Sequence, residues 1–171
     1  MRVLVNGAGP AGAATVKLLK KAGTRDIIVL DSKGILSRHR SGLVAYKKEL
    51  VRITNPRNVR GGLKEALEGA DVFVGVSRGN VLHGEDIKRM NARPIVFALA
   101  NPIPEIMPDV AHRAGAFVVA TGRSDFPNQI NNALIFPGVF RGALENGIRR
   151  ITDNAKIRAA RALARIVERP T

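Results

Sequence analysis

The stretch Met1-Arg2-Val3-Leu4-Val5-Asn6-Gly7-Ala8-Gly9-Pro10-Ala11-Gly12 decides the fold. Val3, Leu4 and Val5 form a short apolar run, the pattern of a buried strand. The run breaks into Gly7, Gly9 and Gly12 at the spacing G-x-G-x-x-G. Ala14, Val16, Leu18, Leu19 and Ala22 then follow at helical spacing. A strand, a glycine turn and a helix form the context in which this motif binds dinucleotides. Gly7 permits a tight turn, Gly9 leaves room for a pyrophosphate, and Gly12 lets the helix pack close to the strand. The helix start turns its unpaired N–H groups toward the phosphates. Pro10 and Ala11 open that helix, and proline at the first helical position loses no hydrogen bond.

Nineteen residues beyond Gly12, Asp31 ends the apolar run Ile27-Ile28-Val29-Leu30. An acid at the tip of the second strand can accept hydrogen bonds from an adenosine ribose. Asp31 and the adjacent Ser32 are therefore candidate cofactor residues. By charge, Asp31 favours a ribose hydroxyl over a 2′-phosphate. Lys33, Arg38 and Arg40 nearby offset that repulsion, so NAD is the leading cofactor and NADP stays open. Arg38 and Arg40 themselves are read in two ways, as cations reaching toward an anion or, the favoured reading, as a solvated basic loop.

Further strands are expected at 70–76, 94–100 and 116–120, separated by helical stretches at 43–51, 62–68, 85–90 and 105–114. This alternation predicts an α/β fold. It is a Rossmann-like doubly wound parallel sheet of about five strands, with helices on both faces. Ligands bind such sheets outside the carboxyl ends of the strands. Ser77, Asn80 and Asn101 fall at those ends. The polar stretch 121–132, ending in Asn131 and Asn132, leaves the fifth strand on the same side. Thr152 or Asp153 is expected to cap a last helix. Its apolar stripe is Ala155, Ala159, Ala160, Leu163, Ile166 and Val167, with a basic outer face.

The 171 residues suffice for a single domain with a real core. No apolar run approaches the roughly 20 residues of a membrane span. The first strand follows Met1 almost at once, so no signal peptide is expected. There is no cysteine, which excludes disulfides and thiolate chemistry and fits a cytoplasmic protein. The 28 basic and 14 acidic residues give a net charge of +14. The basic residues are scattered, from Lys17 to Arg169, and one Tyr without Trp makes no stacking platform for bases. Nucleic acid is therefore not the expected partner. Attraction of anionic cofactors and substrates is a sufficient use for part of the charge.

Several stretches together resemble the C-terminal NAD(P)-binding domain of malic enzyme (malate oxidoreductase, decarboxylating) of the compact prokaryotic kind. They are Gly7–Gly12, Asp31-Ser32-Lys33-Gly34, Asp71–Ser77, Phe97–Glu105, Ala120–Asp125 through Asn131-Asn132, and Phe136–Leu144. The resemblance covers essentially the whole chain. It implies oxidation of malate by hydride transfer to NAD(P)+ and metal-assisted loss of carbon dioxide to give pyruvate. It implies that Gly7, Gly9, Pro10, Ala11, Gly12, Asp31, Ser32, Ser77 and Asn101 hold the cofactor. It further implies that Asn101 and Asn131 or Asn132 lie near the malate carboxylates.

In that family the acid/base Tyr and Lys lie in an N-terminal domain, and the acidic metal ligands lie in that domain and in the acidic segment just before the glycine-rich strand, which these residues do not include. The one tyrosine, Tyr46, matches no catalytic position. No catalytic or metal-ligating residue is assigned, and Mg or Mn belongs only to the complete enzyme. The expectation is a chain inactive alone: a fragment, a remnant or one half of a split enzyme. It would pair with a partner half or with a second copy. The alternatives are a stand-alone nicotinamide-nucleotide-binding module and a basic interaction protein on the same scaffold.

Overall fold

Five strands of this chain are short apolar runs, too short to be helices and apolar on both faces. Such runs must be covered on two sides. The computed structural model, described here for residues 1–166, meets that demand. Its sheet comprises β1 (Arg2–Asn6), β2 (Asp26–Asp31), β3 (Gly34–Ile35), β4 (Val72–Gly75), β5 (Ile95–Ala98) and β6 (Val118–Thr121). The strand order is β3-β2-β1-β4-β5-β6. The five longer strands are parallel, and β3 pairs antiparallel with β2.

The sequence expectation of about five parallel strands therefore gains a sixth. Asp31 pairs with Gly34 and Leu30 with Ile35 across Ser32-Lys33. A pairing this short has no apolar alternation to announce it. Gly34, expected only as a turn, is its first residue.

Alternate side chains of β1, β2, β4 and β5 feed two cores. Leu4, Ile28, Phe73, Val96 and Val119 pack with α3 (Leu63–Leu67), α4 (Gly84–Ile87) and α5 (Pro108–Arg113). Val3, Val5, Ile27, Val29, Val72 and Val74 pack on the other face with α1 (Pro10–Lys21) and α2 (Ala45–Ile53). Phe73, Leu4, Ile28 and Val5 are almost fully buried. Full burial of each such side chain contributes roughly 1.5–3 kcal/mol. The sheet thus becomes a rigid platform for the loops at its carboxyl edge.

The residues from Met1 to Ile130 form one compact unit, and a second begins at Asn131. In the second, a 3-10 turn (Asn132–Leu134) precedes α6 (Phe136–Glu145) and α7 (Asp153–Ala164). Thr152 caps α7, its hydroxyl accepting from Ala155 N at 3.2 Å. Val139, Ala143, Ala155, Ala159 and Leu163 line an apolar groove of about 590 Å³ within this unit. Val167 of the expected stripe and Arg169 of the basic set lie outside the described residues. Among the described residues, no helix is long and apolar enough to cross a membrane.

Candidate functional site

The β1–α1 turn is built by two close approaches. Gly7 sits at φ +129°, where a side chain is strained, and a Cβ there would meet Val76 O at 2.6 Å. A Cβ on Gly12 would lie 1.7 Å from Gly7 O. Only glycine lets α1 begin this close to β1. Gly9, in contrast, has no atom within 4 Å of a Cβ position and faces open space. Gly9 is the N-cap of α1 and Pro10 its opening residue. The first-turn N–H groups lack intrahelical partners, and the positive dipole end favours an anion in front of Gly9.

Three segments converge beside that turn on a cavity of about 830 Å³. Asn6, Gly7, Ala8 and Gly9 contribute its floor, Asp31 and Ser32 one end, and Ser77, Arg78, Asn80 and His83 the other wall. Asn6 Nδ2 donates to Ser77 Oγ at 3.2 Å, tying the ends of β1 and β4 together. Tyr46 and Lys47 of α2 also line the cavity. Tyr46, which matches no catalytic position of the family, thus borders the site. Packing of α2 on the sheet through Leu50 brings it in, which no local pattern reveals. Pro10, Ala11 and Gly12, also expected at the cofactor, lie in the first turn of α1 and are not among the residues that line the cavity.

Asp31 does not stand free at the strand end. Its Oδ1 accepts from Arg40 Nη1 at 2.7 Å and from Lys33 N at 2.9 Å. Its Oδ2 accepts from Lys47 Nζ at 2.6 Å and from Arg40 Nη2 at 3.2 Å. Only 8% of the Asp31 side chain is exposed. Burial alone would raise its pKa, but the bonds from Arg40, Lys47 and Lys33 N outweigh it and hold the carboxyl at about 2. Of the two readings of Arg40, the structure favours reach toward an anion over a solvated loop, and that anion is the Asp31 carboxylate. Arg40 Nη1 also donates to Gly34 O at 3.1 Å, so β3 anchors it. The missed signal is the β2–β3 hairpin, which folds the basic segment back over the strand end.

Glu105 is a second surprise. Expected to start a helix, it is fully buried, and α5 begins only at Pro108. Its Oε1 accepts from Ser77 N at 3.1 Å and its Oε2 from Ala100 N at 2.9 Å. It ties together the segments that follow β4 and β5. Burial pushes its pKa above the usual value, against the two backbone bonds. Asn101 follows Ala100 directly, joined to Pro102 by a cis peptide. Asn101 is exposed at the end of β5 and is not among the residues that line the cavity. Asn131 and Asn132 belong to the second unit, where Asn131 Oδ1 caps the 3-10 turn by accepting from Ala133 N at 2.9 Å.

A divalent metal finds no fit among the described residues. No group of three or more His, Asp or Glu gathers there. Asp31 is taken by its cations and Glu105 by backbone N–H groups. Asp71 accepts from Arg2 N and Asn91 Nδ2, both at 2.6 Å. Asp125 pairs with Arg123 at 2.6 Å. A hard cation needs several oxygens together.

A parallel sheet, a glycine turn at a helix start and a cavity across the strand ends define a dinucleotide-binding domain of Rossmann type. The family model for the malic enzyme NAD-binding domain matches residues 1–171, and the chain belongs to that family. It is 49% identical over 168 residues to a bifunctional malic/malolactic enzyme of Bacillus subtilis, covering 98% of this chain and 41% of that protein. It is 44% identical over 172 residues to an NADP-dependent malic enzyme of Halomonas elongata, covering 99% of this chain and 40% of that one. The crystal structure of an NAD-dependent malic enzyme from Thermotoga maritima superposes with a TM-score of 0.95 at 50% identity, over 99% of this chain and 45% of that chain. The chain spans less than half the length of each of these relatives.

Proposed function

We propose that this chain is the part of a malic enzyme that holds the nicotinamide dinucleotide, and that malate oxidation and decarboxylation need groups from the rest of such an enzyme. The observation that carries this reading is the cavity of about 830 Å³ spanning the glycine turn, Asp31 and Ser77. The pyrophosphate lies over Gly9 at the start of α1, with Pro10, Ala11 and Gly12 shaping the turn behind it. The adenosine ribose lies toward Asp31 and Ser32. The nicotinamide end runs past Ser77 toward Asn101. The bound cofactor supplies the hydride acceptor. This chain's residues bind and orient it and keep its reacting face at the sheet edge.

Asn101, Asn131 and Asn132 are proposed to meet the malate carboxylates in the complete enzyme, since neutral amides donate to carboxylates without a competing charge. The acid/base and metal groups are proposed to come from outside these residues. That division is supported by the dispersed, already paired carboxylates and by the coverage of the relatives. Exposed Phe136, Phe140 and Leu144 support contact of the second unit with the rest of the enzyme or with a second copy. A cytoplasmic location is part of the proposal.

The test is calorimetric titration of NAD+ and NADP+ into the chain, with a malate and manganese turnover assay on the same sample. Binding without turnover is the expected result. Turnover by the chain alone would show that the acid/base groups lie within it. Loss of binding in Gly9→Val, with an unchanged melting temperature, places the pyrophosphate at the glycine turn.

A further inference from the structure

The loop after β4 forms one wall of the cavity with Ser77, Arg78, Asn80 and His83. Up to Val76 its backbone is held by β1, since Val76 N donates to Asn6 O at 2.9 Å. From Ser77 onward the backbone is tied to the segment that follows β5. Ser77 N donates to Glu105 Oε1 at 3.1 Å, Asn80 N to Pro104 O at 3.1 Å and Leu82 N to Glu105 O at 3.0 Å. The second carboxylate oxygen, Glu105 Oε2, accepts from Ala100 N at 2.9 Å, beside Asn101. The two segments meet at contact distance. A Cβ on Gly75 would lie 2.3 Å from Glu105 Cδ, and one on Gly79 would lie 2.6 Å from Ile103 O. Glu105 is fully buried and, like Gly75, is not among the residues that line the cavity.

We propose that Glu105 is a positioning residue for the nicotinamide half of the dinucleotide, fixing the spacing between the wall at 77–83 and Asn101 without touching the ligand; this rests on the dinucleotide reading above. The task suits a carboxylate, whose two oxygens accept from two N–H groups at once. A glutamine has one acceptor oxygen, and its NH2 group would face an N–H. One of the two segments is then released and must be ordered again when the ligand binds. The adenosine half of the cavity has its own supports. Gly7 N donates to Leu30 O at 3.0 Å, and Gly9 caps α1. Loss of the carboxylate tie therefore acts on a ligand through the part that passes Ser77.

The experiment titrates NAD+ and ADP into the 171-residue chain and into two variants, with melting temperatures recorded on the same samples. ADP carries the adenosine and both phosphates but lacks the nicotinamide and its ribose. Glu105→Gln is expected to weaken NAD+ by about tenfold, roughly the worth of one hydrogen bond. ADP is expected to change by less than about threefold. Gly75→Ala keeps the carboxylate and displaces it, and serves with the same expectation if Glu105→Gln unfolds. A Glu105 that only stabilised the fold would lower the melting temperature and leave the ratio of the two affinities unchanged.

A third measurement needs no variant. If breaking the tie weakens NAD+ tenfold, linkage requires that bound NAD+ oppose its opening tenfold. Hydrogen exchange of the Ser77 and Ala100 amides is expected to slow about tenfold more with NAD+ than with ADP, each at the same multiple of its dissociation constant. Equal protection by the two ligands, or equal weakening of both by the variants, would overturn the positioning role and leave the dinucleotide reading standing. If NAD+ does not bind to the unaltered chain, the dinucleotide reading itself fails, and the role of Glu105 with it.

Discussion

Asp31 and Glu105 are two shielded carboxylates at the same sheet edge, and the fold treats them in opposite ways. Asp31 meets a guanidinium, an ammonium and one backbone N–H, and its pKa falls to about 2. Glu105 meets backbone N–H groups, those of Ser77 and Ala100 among them, in a fully buried place, and its pKa rises. Burial opposes the charge in both. What differs is whether a full positive charge stands within hydrogen-bond reach. The first arrangement holds cations ready at the ligand cavity. The second holds backbone, joining the loops after β4 and β5. Gly75 shows how tightly the second is built. A Cβ there would lie 2.3 Å from Glu105 Cδ.

The largest expected effect breaks the backbone clamp. Glu105→Ala leaves two buried N–H groups without acceptors and opens a void, and should cost about 3–5 kcal/mol in urea unfolding. Glu105→Gln keeps one acceptor and should cost less. A loss below about 1 kcal/mol for Glu105→Ala would mean that water reaches both donors. Gly75→Ala pushes the carboxylate off its partners and should cost about 1–3 kcal/mol by overpacking. A stability equal to that of the unaltered chain would show that the clamp relaxes freely.

The pH dependence sharpens the contrast next. Asp31 has a folded pKa of about 2 against an ordinary value of 3.8. The unfolded chain therefore binds the proton first as pH falls. The stability Asp31 contributes is present above pH 3.8 and is lost as pH falls through about 2. Its size is roughly 1–2 kcal/mol after screening. Glu105 runs the other way. Its folded pKa is raised above 4.5, so the native state holds its proton more tightly. Its contribution declines as pH rises from 4.5 through the folded value. Unfolding curves across acid pH should show Asp31→Asn flattening the first slope and Glu105→Gln the second. The same slopes in the variants as in the parent would remove both assignments.

The smallest effect belongs to pairs that resemble Asp31 on paper. Lys17 bonds Glu49 at 3.0 Å between α1 and α2, yet both side chains are about half exposed. Lys17→Ala should change stability by less than about 1 kcal/mol. A larger loss would point to packing of the lysine stem.

Much of this was legible beforehand because it is local. Val3–Val5, Ile27–Leu30 and Val72–Gly75 are apolar runs bounded by turn residues, and the glycines mark the turn between β1 and α1. Thr152 stands three residues before the N–H it caps. Harder to read was anything made by residues far apart in the chain. Lys47 reaches Asp31 across sixteen residues, and Glu105 reaches Ser77 across twenty-eight. The two-residue strand β3 is too short to show a period. It nonetheless helps hold the loop residue Arg40 beside Asp31, through Gly34 O.

The sequence by itself determined the alternation of strands and helices, the glycine turn, the acid at the end of the second strand and, through its family-specific stretches, the malic enzyme kinship. Those features depend on periodicity, backbone freedom and residue type within a few positions. Only the tertiary structure decided that Asp31 is saturated by Arg40, Lys47 and Lys33 N, that Tyr46 borders the cavity, and that Glu105 is a buried clamp. The physical reason is that a carboxylate's behaviour follows the charges and donors within about 4 Å of it, and those neighbours come from loops and from α2, which only the folded chain brings to one sheet edge.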